Sequence, residues 1–292
     1  MARHRLSKKH RTIAMALGGA ALLVGGALTA EAASGSGSGS GSAATATSPA
    51  RPVSLSKPVT YTGRAFDTCT APTLAQMKAW KTASPYGGAA VYIGGKNRGC
   101  AQPQLTRDWV KAVSAVGWKL IPLYVGAQPP CKSGSNPERM TAATAASLGA
   151  TDGADAGVKA GALGMRPGSP VYLDMEGFDL TNTSCKDTVL TYTRAWNKAL
   201  HAKGYRTGYY GFASSSAAAV AAVSPGTDMP DALWYAAYDD TESTTTGYPF
   251  GTKWPGHRRG HQYAINKKET YGGVTLTVDR NAWDAPVAVV AK

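Results

Sequence analysis

The chain has 292 residues, with 31 Lys and Arg against 18 Asp and Glu, which gives a formal net charge of +13. This basic excess favours polyanionic partners such as wall polymers or acidic lipids. It does not indicate nucleic-acid binding, because no motif combines aromatic and basic residues, and the clearest basic cluster, 257–259, lies in a loop bounded by Gly and Pro.

The N-terminal segment has the pattern of an export signal. Five Lys and Arg residues precede an apolar stretch over 13–30, and Ala30-Glu31-Ala32 provides a small-x-small cleavage site. An uncleaved membrane anchor is the alternative, because about 18 residues can just span a bilayer. The four glycines of the stretch favour cleavage, so we predict a signal peptide over 1–32 and a secreted protein without stable membrane insertion.

A flexible tether follows the predicted signal peptide. A Gly-Ser repeat over 34–42 leads into sequence rich in Ala, Thr and Pro, a composition that cannot bury a core. We assign this linker to 33–60 and the folded domain to 61–292. A domain of that length can hold one large hydrophobic core, and we expect it to be a monomer.

Apolar runs alternate with helical patterns along the folded domain. We predict strands over 63–67, 89–93, 118–125, 170–174, 206–210, 232–238, 259–264 and 275–278. We predict helices over 74–81, 104–116, 137–163 (broken near 149–157), 186–203 and 214–223. This α/β alternation predicts a (β/α)8 TIM barrel of parallel strands. The connections after the sixth and seventh strands are expected to be irregular rather than helical. A doubly wound sheet is the alternative, but no Gly-rich phosphate loop follows the first strand.

Acidic residues occur at the predicted carboxyl ends of several strands, where the active sites of such barrels lie. The four acids are Asp67, Asp174, Glu176 and Asp279. Asp174 and Glu176 are spaced by two and therefore point to one face of a strand. Paired carboxylates are what glycoside hydrolysis requires, and aromatic rings can stack on sugars. The candidate sugar-binding residues are Tyr92, Tyr124, Tyr210, Trp234, Tyr238, Gln262 and Tyr263.

The four cysteines are Cys69, Cys100, Cys131 and Cys185. An even number in an exported chain predicts disulfides, and the absence of a C-x-x-C spacing argues against a metal site. Three pairings are possible. Each cysteine follows one of the first four strands, so pairing neighbours, Cys69 with Cys100 and Cys131 with Cys185, would link adjacent loops around the site.

Five motifs in this order resemble a known family. They are Phe66-Asp67, Asp174-Met175-Glu176, Trp234-Tyr235-Ala236-Ala237-Tyr238, His261-Gln262-Tyr263 and Val278-Asp279-Arg280-Asn281. The set resembles the glycoside-hydrolase-like domain of secreted actinobacterial proteins, a family of unknown function that is similar to the family 25 muramidases, the Chalaropsis-type lysozymes. The resemblance extends from about Gly63 onward, and His261 stands where the muramidase pattern has tryptophan.

The resemblance implies a secreted glycoside hydrolase that acts on a cell-wall polysaccharide, with peptidoglycan as the first expectation. Glu176 would be the general acid and Asp174 its partner carboxylate, while Asp67 and Asp279 would orient water or substrate. No metal or organic cofactor is implied. The alternatives are a catalytically silent carbohydrate-binding or wall-associated module on the same barrel, and a surface protein that adheres through its net charge.

Overall fold

The computed structural model describes residue 55 and residues 57–291. The predicted signal peptide over 1–32, and the linker over 33–60 except for its last few residues, lie outside the described residues. None of the helices in the described part of the chain has the length and apolar character that a membrane crossing requires.

Eight strands form a closed barrel in which each strand pairs with its neighbour in sequence and β8 pairs with β1. The strands are β1 Thr60–Asp67, β2 Tyr86–Gly94, β3 Lys119–Tyr124, β4 Pro170–Met175, β5 Arg206–Phe212, β6 Ala232–Ala236, β7 Arg259–Tyr271 and β8 Val274–Pro286. The helices are α1 Leu74–Ala83, α2 Arg107–Ala115, α3 Ala145–Ala162, α4 Thr183–Ala202 and α5 Ser216–Val223. The predicted TIM barrel is confirmed, and, as expected, no helix of the described residues connects β6 to β7 or β7 to β8.

The prediction that all eight strands run parallel was wrong for β8. This strand is antiparallel to both β7 and β1, because the chain turns directly from β7 into β8 without a crossover. Gly272 and Gly273 both have positive φ, which is the backbone conformation that a tight hairpin turn requires. Strands β7 and β8 are each 13 residues long, well beyond the short strands predicted there.

The far end of the β7–β8 hairpin covers the outside of the barrel beside β1, a position that a helix takes in a regular (β/α)8 barrel. The indole Nε1 of Trp80 on α1 donates a 3.0 Å hydrogen bond to the carbonyl oxygen of Val274, and the Trp80 and Tyr271 rings meet edge to face at 5.2 Å. Glu269 accepts from the hydroxyl of Tyr86 on β2 and from Arg280. The hairpin therefore closes the outer layer on this side.

The helix predicted over 137–163 is shorter than expected and is not broken. It begins only at Ala145, and α3 then continues through its glycines to Ala162. A Cβ at Gly149 would lie 2.3 Å from the carbonyl oxygen of Tyr192, and one at Gly153 would lie 2.3 Å from that of Trp196. The glycines therefore let α3 pack closely against α4, and this packing outweighs their low helix propensity.

Two apolar layers hold the fold together. Phe66, Trp80 and Trp118 belong to the layer between the strands and the helices, whereas Trp234 and Trp283 belong to a second cluster inside the barrel. Alternate residues of each strand face these two layers, as the two-residue period of a strand requires. The interior cluster fills the barrel below its mouth, by which we mean the end where β1 to β6 reach their carboxyl termini.

Candidate active site

The four predicted acids lie at the barrel mouth. Asp67 is the last residue of β1 and is paired in register with Asp279 of β8. Asp279 reaches the mouth from the middle of β8 because that strand enters the barrel from this end. Asp174 lies at the end of β4 opposite Tyr210 of β5, and Glu176 follows β4 directly. Strand β4 lies across the barrel from β1 and β8, so the acids form two pairs that face each other.

The carboxylate of Asp67 is buried and fully hydrogen-bonded. Its Oδ2 accepts from Gln262 Nε2 at 3.0 Å and from Asn281 Nδ2 at 2.8 Å, and its Oδ1 accepts from the Tyr92 hydroxyl at 3.4 Å. Burial and the charge of Asp279 raise the pKa of the Asp67 carboxyl to about 7, although the three donors act to lower it. Asp67 can therefore change its protonation state near neutral pH.

The donors to Asp67 are themselves held in place. The Tyr210 hydroxyl donates to Gln262 Oε1 at 2.7 Å, and the Trp234 indole Nε1 donates to Asn281 Oδ1 at 2.7 Å. Both contacts leave the amide NH2 groups of Gln262 and Asn281 pointing at Asp67. Side chains of the barrel interior therefore fix the orientation of both amides.

Asp174 differs from Asp67 because one of its oxygens has no partner. The side chain is only 6% exposed, and its Oδ1 is buried without a hydrogen bond. Burial, the charge of Glu176 and the charge of Asp67 raise the pKa of Asp174 well above its ordinary value. A buried acceptor without a donor is costly in a folded protein, and such atoms occur where a ligand can supply the missing partner.

Glu176 is more accessible than the other member of its pair, with a partly exposed side chain. Its backbone N–H donates to Gln128 Oε1 at 3.0 Å, which fixes the residue at the end of β4. The carboxyl group stands beside Asp174 at the opening of the barrel. It is therefore open to a molecule at the mouth, whereas Asp174 lies deeper.

Several predicted sugar-binding residues surround these acids. Tyr92, Tyr210 and Gln262 contact Asp67 directly or through one another. The Tyr238 ring is 46% exposed, and burial of its hydroxyl, together with the charges of the mouth acids, raises its pKa to about 12. Trp234 is 1% exposed and packs 4.7 Å from the Tyr210 ring, so it forms the floor below the site rather than a surface that a sugar could touch.

Tyr124 and Tyr263 were predicted to line the sugar cleft, and the structure places both elsewhere. Tyr124 packs in the layer between strands and helices, and its hydroxyl donates to Asp155 of α3 at 3.0 Å. Tyr263 has its hydroxyl 3.2 Å from Glu242, in the loop after β6, and packs outside the interior cluster. Side chains alternate between the two faces of a strand, and each of these tyrosines points to the outer face. Neither side chain therefore reaches the mouth.

The two predicted disulfides are confirmed. Cys69 is bonded to Cys100 with a Cα–Cα distance of 5.7 Å, and Cys131 is bonded to Cys185 with a distance of 6.0 Å. The first disulfide links the loop after β1 to the loop after β2. The second links the loop after β3 to the start of α4. Both crosslinks therefore fasten chain segments that leave the mouth.

His261, which replaces the tryptophan of the muramidase pattern, faces away from the mouth. Its ring is fully buried and stacks on Tyr235 at 4.3 Å with an interplanar angle of 10°. Nδ1 lies 2.7 Å from the carbonyl oxygen of Ser243, and Nε2 lies 2.9 Å from that of Ala237. The imidazole therefore binds the loop after β6 to the outside of the barrel.

Gln128 and two serines were not predicted as site residues. Gln128 is fully buried, and it contacts the backbone of both Asp174 and Glu176. Ser215 and Ser216, in the turn before and at the start of α5, contact the backbone of the same segment. No local pattern in the sequence indicates these contacts, because they join chain segments about 40 to 50 residues apart. Asn281 was part of a recognised motif, and its contact with Asp67 gives that motif a physical role.

The polar groups of the mouth include carboxylates and tyrosine hydroxyls. Among the residues that the structure describes, no group of three or more His, Cys, Asp or Glu side chains is placed to hold a metal ion. The mouth instead combines paired carboxylates with tyrosine rings.

Comparisons with known proteins bear on the fold and the family of this chain. A comparison with curated protein sequences found no match. Among solved structures, the modular autolysin LytC from Streptococcus pneumoniae is 17% identical with a TM-score of 0.50, covering 76% of this chain and 47% of LytC. An uncharacterized B. stearothermophilus protein is 18% identical with a TM-score of 0.49, covering 76% and 95% of the two chains.

A third structure is the catalytic domain of endolysin ply40 from bacteriophage P40 of Listeria monocytogenes, 16% identical with a TM-score of 0.47, covering 76% of this chain and 93% of that one. At 17% identity, the match to LytC shows a likeness of fold alone. The sequence itself matches the family described as "Rv2525c-like, glycoside hydrolase-like domain" over residues 78–283, which is more than half of the chain. The protein therefore belongs to the Rv2525c-like family of glycoside hydrolase-like domains.

Proposed function

We propose that this protein is a secreted, monomeric glycoside hydrolase that cleaves a cell-wall polysaccharide, with peptidoglycan as the first substrate to test. The observation that carries the proposal is the pair formed by Glu176 and Asp174 at the barrel mouth. One carboxyl is accessible, and the other is buried with an oxygen that lacks a donor. Two acids in different environments can take the two different roles that glycoside hydrolysis requires.

Glu176 is the general acid in this proposal. Its side chain is partly exposed at the mouth, so it can reach the oxygen of a glycosidic bond laid across the opening. It would donate its proton to that oxygen as the bond to the anomeric carbon breaks. General acid catalysis of this kind contributes a rate factor of about 10²–10⁴.

Asp174 supports the reaction from the same side of the site. Its unpartnered Oδ1 can accept a hydrogen bond from an N–H or O–H group of the sugar, which would satisfy the buried acceptor. When ionised, it also stabilises the positive charge that develops at the anomeric carbon. Burial and the charges of Glu176 and Asp67 raise the pKa of Asp174. A hydrogen bond from a bound sugar, or protonation of those two neighbours, would favour the ionised form of Asp174.

Asp67 and Asp279 form the opposite side of the site. Every oxygen of Asp67 is occupied by donors of the protein, which suits a fixed charge that orients substrate or water better than a nucleophile. Asp279 is bound through Oδ1 by the backbone N–H of Asn266 at 2.6 Å, and burial raises its pKa. Tyr238, exposed beside these acids, offers a ring face on which a sugar can stack.

The test is hydrolysis of purified cell walls and defined glycans, measured as released reducing ends. Glu176→Gln keeps the shape of the side chain but cannot donate a proton, so we expect the rate to fall about 10²–10⁴-fold with an unchanged melting temperature. Glu242→Gln is the matched control, because Glu242 pairs with Arg64 and Tyr263 away from the acids.

Two outcomes would contradict the proposal. An unchanged rate in the Glu176→Gln variant would remove Glu176 from the mechanism. Saturable glycan binding by the wild-type protein, without any released reducing ends, would instead assign the mouth to a carbohydrate-binding module.

A further inference from the structure

The backbone that carries Asp174 and Glu176 is held by side chains from two other loops. From the loop after β3, Gln128 Nε2 donates to the Asp174 carbonyl oxygen at 3.0 Å, and Gln128 Oε1 accepts from the Glu176 N–H at 3.0 Å. From the start of α5, Ser216 Oγ donates to the Met175 carbonyl oxygen at 2.8 Å. Ser215 Oγ accepts from the Phe178 N–H at 2.7 Å. Side chains thus replace the strand pairing that ends with β4.

The side chain of Gln128 contacts both acidic residues. A single planar amide satisfies one backbone group of each, which fixes the spacing between the two residues as well as their position. The side chain is fully buried, and Nε2 also donates to the Gly126 carbonyl oxygen at 3.2 Å, so its amide cannot rotate without losing contacts at both ends.

The backbone of Gln128 is fixed in turn. Its N–H donates to the Glu138 carbonyl oxygen at 3.1 Å, and its carbonyl oxygen accepts from the Met140 N–H at 3.0 Å. The preceding N–H, of Ala127, donates to Asp152 Oδ2 of α3 and lies 3.1 Å from the Tyr192 hydroxyl of α4. The helix layer therefore anchors the loop that presents Gln128.

We infer that Gln128 is a positioning residue that holds Glu176 and Asp174 in their reactive geometry; this rests on the function proposed above. It does not touch the substrate, because its side chain is buried below the two acids. It acts by holding the backbone from which their carboxyl groups project. A displacement of about 1 Å in a reacting group can reduce a rate about 10²-fold, so a residue with this role should affect turnover more than binding.

Two variants of Gln128 separate these effects. Gln128→Met keeps the length of the side chain and removes both polar contacts. Gln128→Glu keeps an acceptor for the Glu176 N–H but, when ionised, places a second oxygen against the Asp174 carbonyl. Protonation of that buried Glu restores a donor there. Gln102→Met is the control for the Glu176 amide, because Gln102 similarly bridges two backbone groups, donating to the Cys69 carbonyl oxygen and accepting from the Ala71 N–H, in the loop after β1 rather than beside Asp174 and Glu176.

The first measurement is hydrogen exchange of the Glu176 amide, which requires no catalysis. We expect Gln128→Met to accelerate this exchange at least 10-fold, while Gln102→Met leaves it unchanged. A Glu176 amide that exchanges freely in the wild-type protein, or one equally protected in Gln128→Met, would overturn the inference even if the enzyme is active.

The second measurement is the hydrolysis of wall glycans. We expect Gln128→Met to lower kcat about 10²-fold with KM changed less than about 3-fold, as loss of a transition-state geometry requires. In Gln128→Glu, the rate relative to wild type should rise as the pH falls. Accelerated amide exchange with an unchanged kcat would overturn the positioning role. If the wild-type protein cleaves no glycan, the proposed function fails, whereas Gln128 is still judged by the exchange experiment.

Discussion

Replacing Asp67 with asparagine should stabilise the protein at neutral and alkaline pH. The Asp67 carboxyl is 2% exposed, and burial together with the charge of Asp279 raises its pKa to about 7. Asparagine keeps two of the three hydrogen bonds, because its side-chain oxygen can accept from Gln262 and Asn281. Its NH2 group can donate to the oxygen of the Tyr92 hydroxyl, but the proton of that hydroxyl loses its acceptor, as it also does when Asp67 is protonated on Oδ1. The substitution therefore removes a buried charge at the cost of one long hydrogen bond.

The size of the effect follows from the pKa. In the folded protein the pKa of Asp67 is about 7 and its ordinary value is 3.8, a difference of about 3 pH units. Each unit corresponds to about 1.4 kcal/mol. The folded state binds more protons than the unfolded state between these two values, so the free energy of unfolding falls as the pH rises from 3.8 through 7. The ionised carboxylate thus lowers stability by at most about 4 kcal/mol above roughly pH 8.

The assay is urea unfolding of the wild-type protein and the Asp67→Asn variant, with disulfides intact, from about pH 3.5 to pH 8. The increase in the free energy of unfolding should be near zero at about pH 3.5 and reach about 2–4 kcal/mol at about pH 8. It should also appear as a higher melting temperature, by about 2–4 °C per kcal/mol for a domain of this size. Hydrolysis should be impaired, because the variant removes a charge from the site.

Asp231→Asn provides a control with the opposite sign. Burial of Asp231 acts to raise its pKa, but hydrogen bonds from His201 and from the Thr207 amide outweigh this and hold the pKa below its ordinary value. This variant should lose stability at neutral pH, and its deficit should shrink only as the pH falls below 3.8, through the lower pKa that Asp231 has in the folded protein. If the free energies of unfolding of the Asp67→Asn variant and the wild type differed by the same amount at every pH from about 3.5 to 8, the raised pKa of Asp67 would be refuted.

Much of the site was predictable because one rule of barrel architecture converts sequence into position. The carboxyl end of a strand lies at the mouth, so Asp67, Asp174 and Glu176 could be brought together from two separate segments. The same rule placed the four cysteines near one another and selected the observed pairing. The direction of β8 could not be read from hydrophobic pattern alone, although Gly272-Gly273 between two alternating segments is itself a hairpin signal.

The errors concern which face of a strand a residue occupies. Tyr124 and Tyr263 were assigned to the mouth because they lie near strand ends, but both faces of these strands are covered. An apolar run buried on both faces does not indicate which side chains point inward. Gln128 was missed for a different reason. Its partners lie about 46 residues away on β4, and its role depends on a loop conformation that the helix layer fixes.

Two further predictions concern the crosslinks and the sugar-binding surface. Replacing both Cys131 and Cys185 with serine should lower the free energy of unfolding by about 4 kcal/mol, since the disulfide closes a loop with a sequence separation of 54. A loss below about 1 kcal/mol in urea unfolding would contradict this chain-entropy argument. Tyr238→Ala should raise KM for wall glycans about 5- to 30-fold, because loss of a ring that stacks on a sugar costs about 1–2 kcal/mol. Tyr124→Phe should leave KM unchanged and cost about 1 kcal/mol of stability, because its hydroxyl bonds to Asp155 behind the barrel wall. A higher KM in Tyr124→Phe than in Tyr238→Ala would mean that the sugar binds on the helix side of β3, and it would overturn the assignment of the mouth as the binding surface.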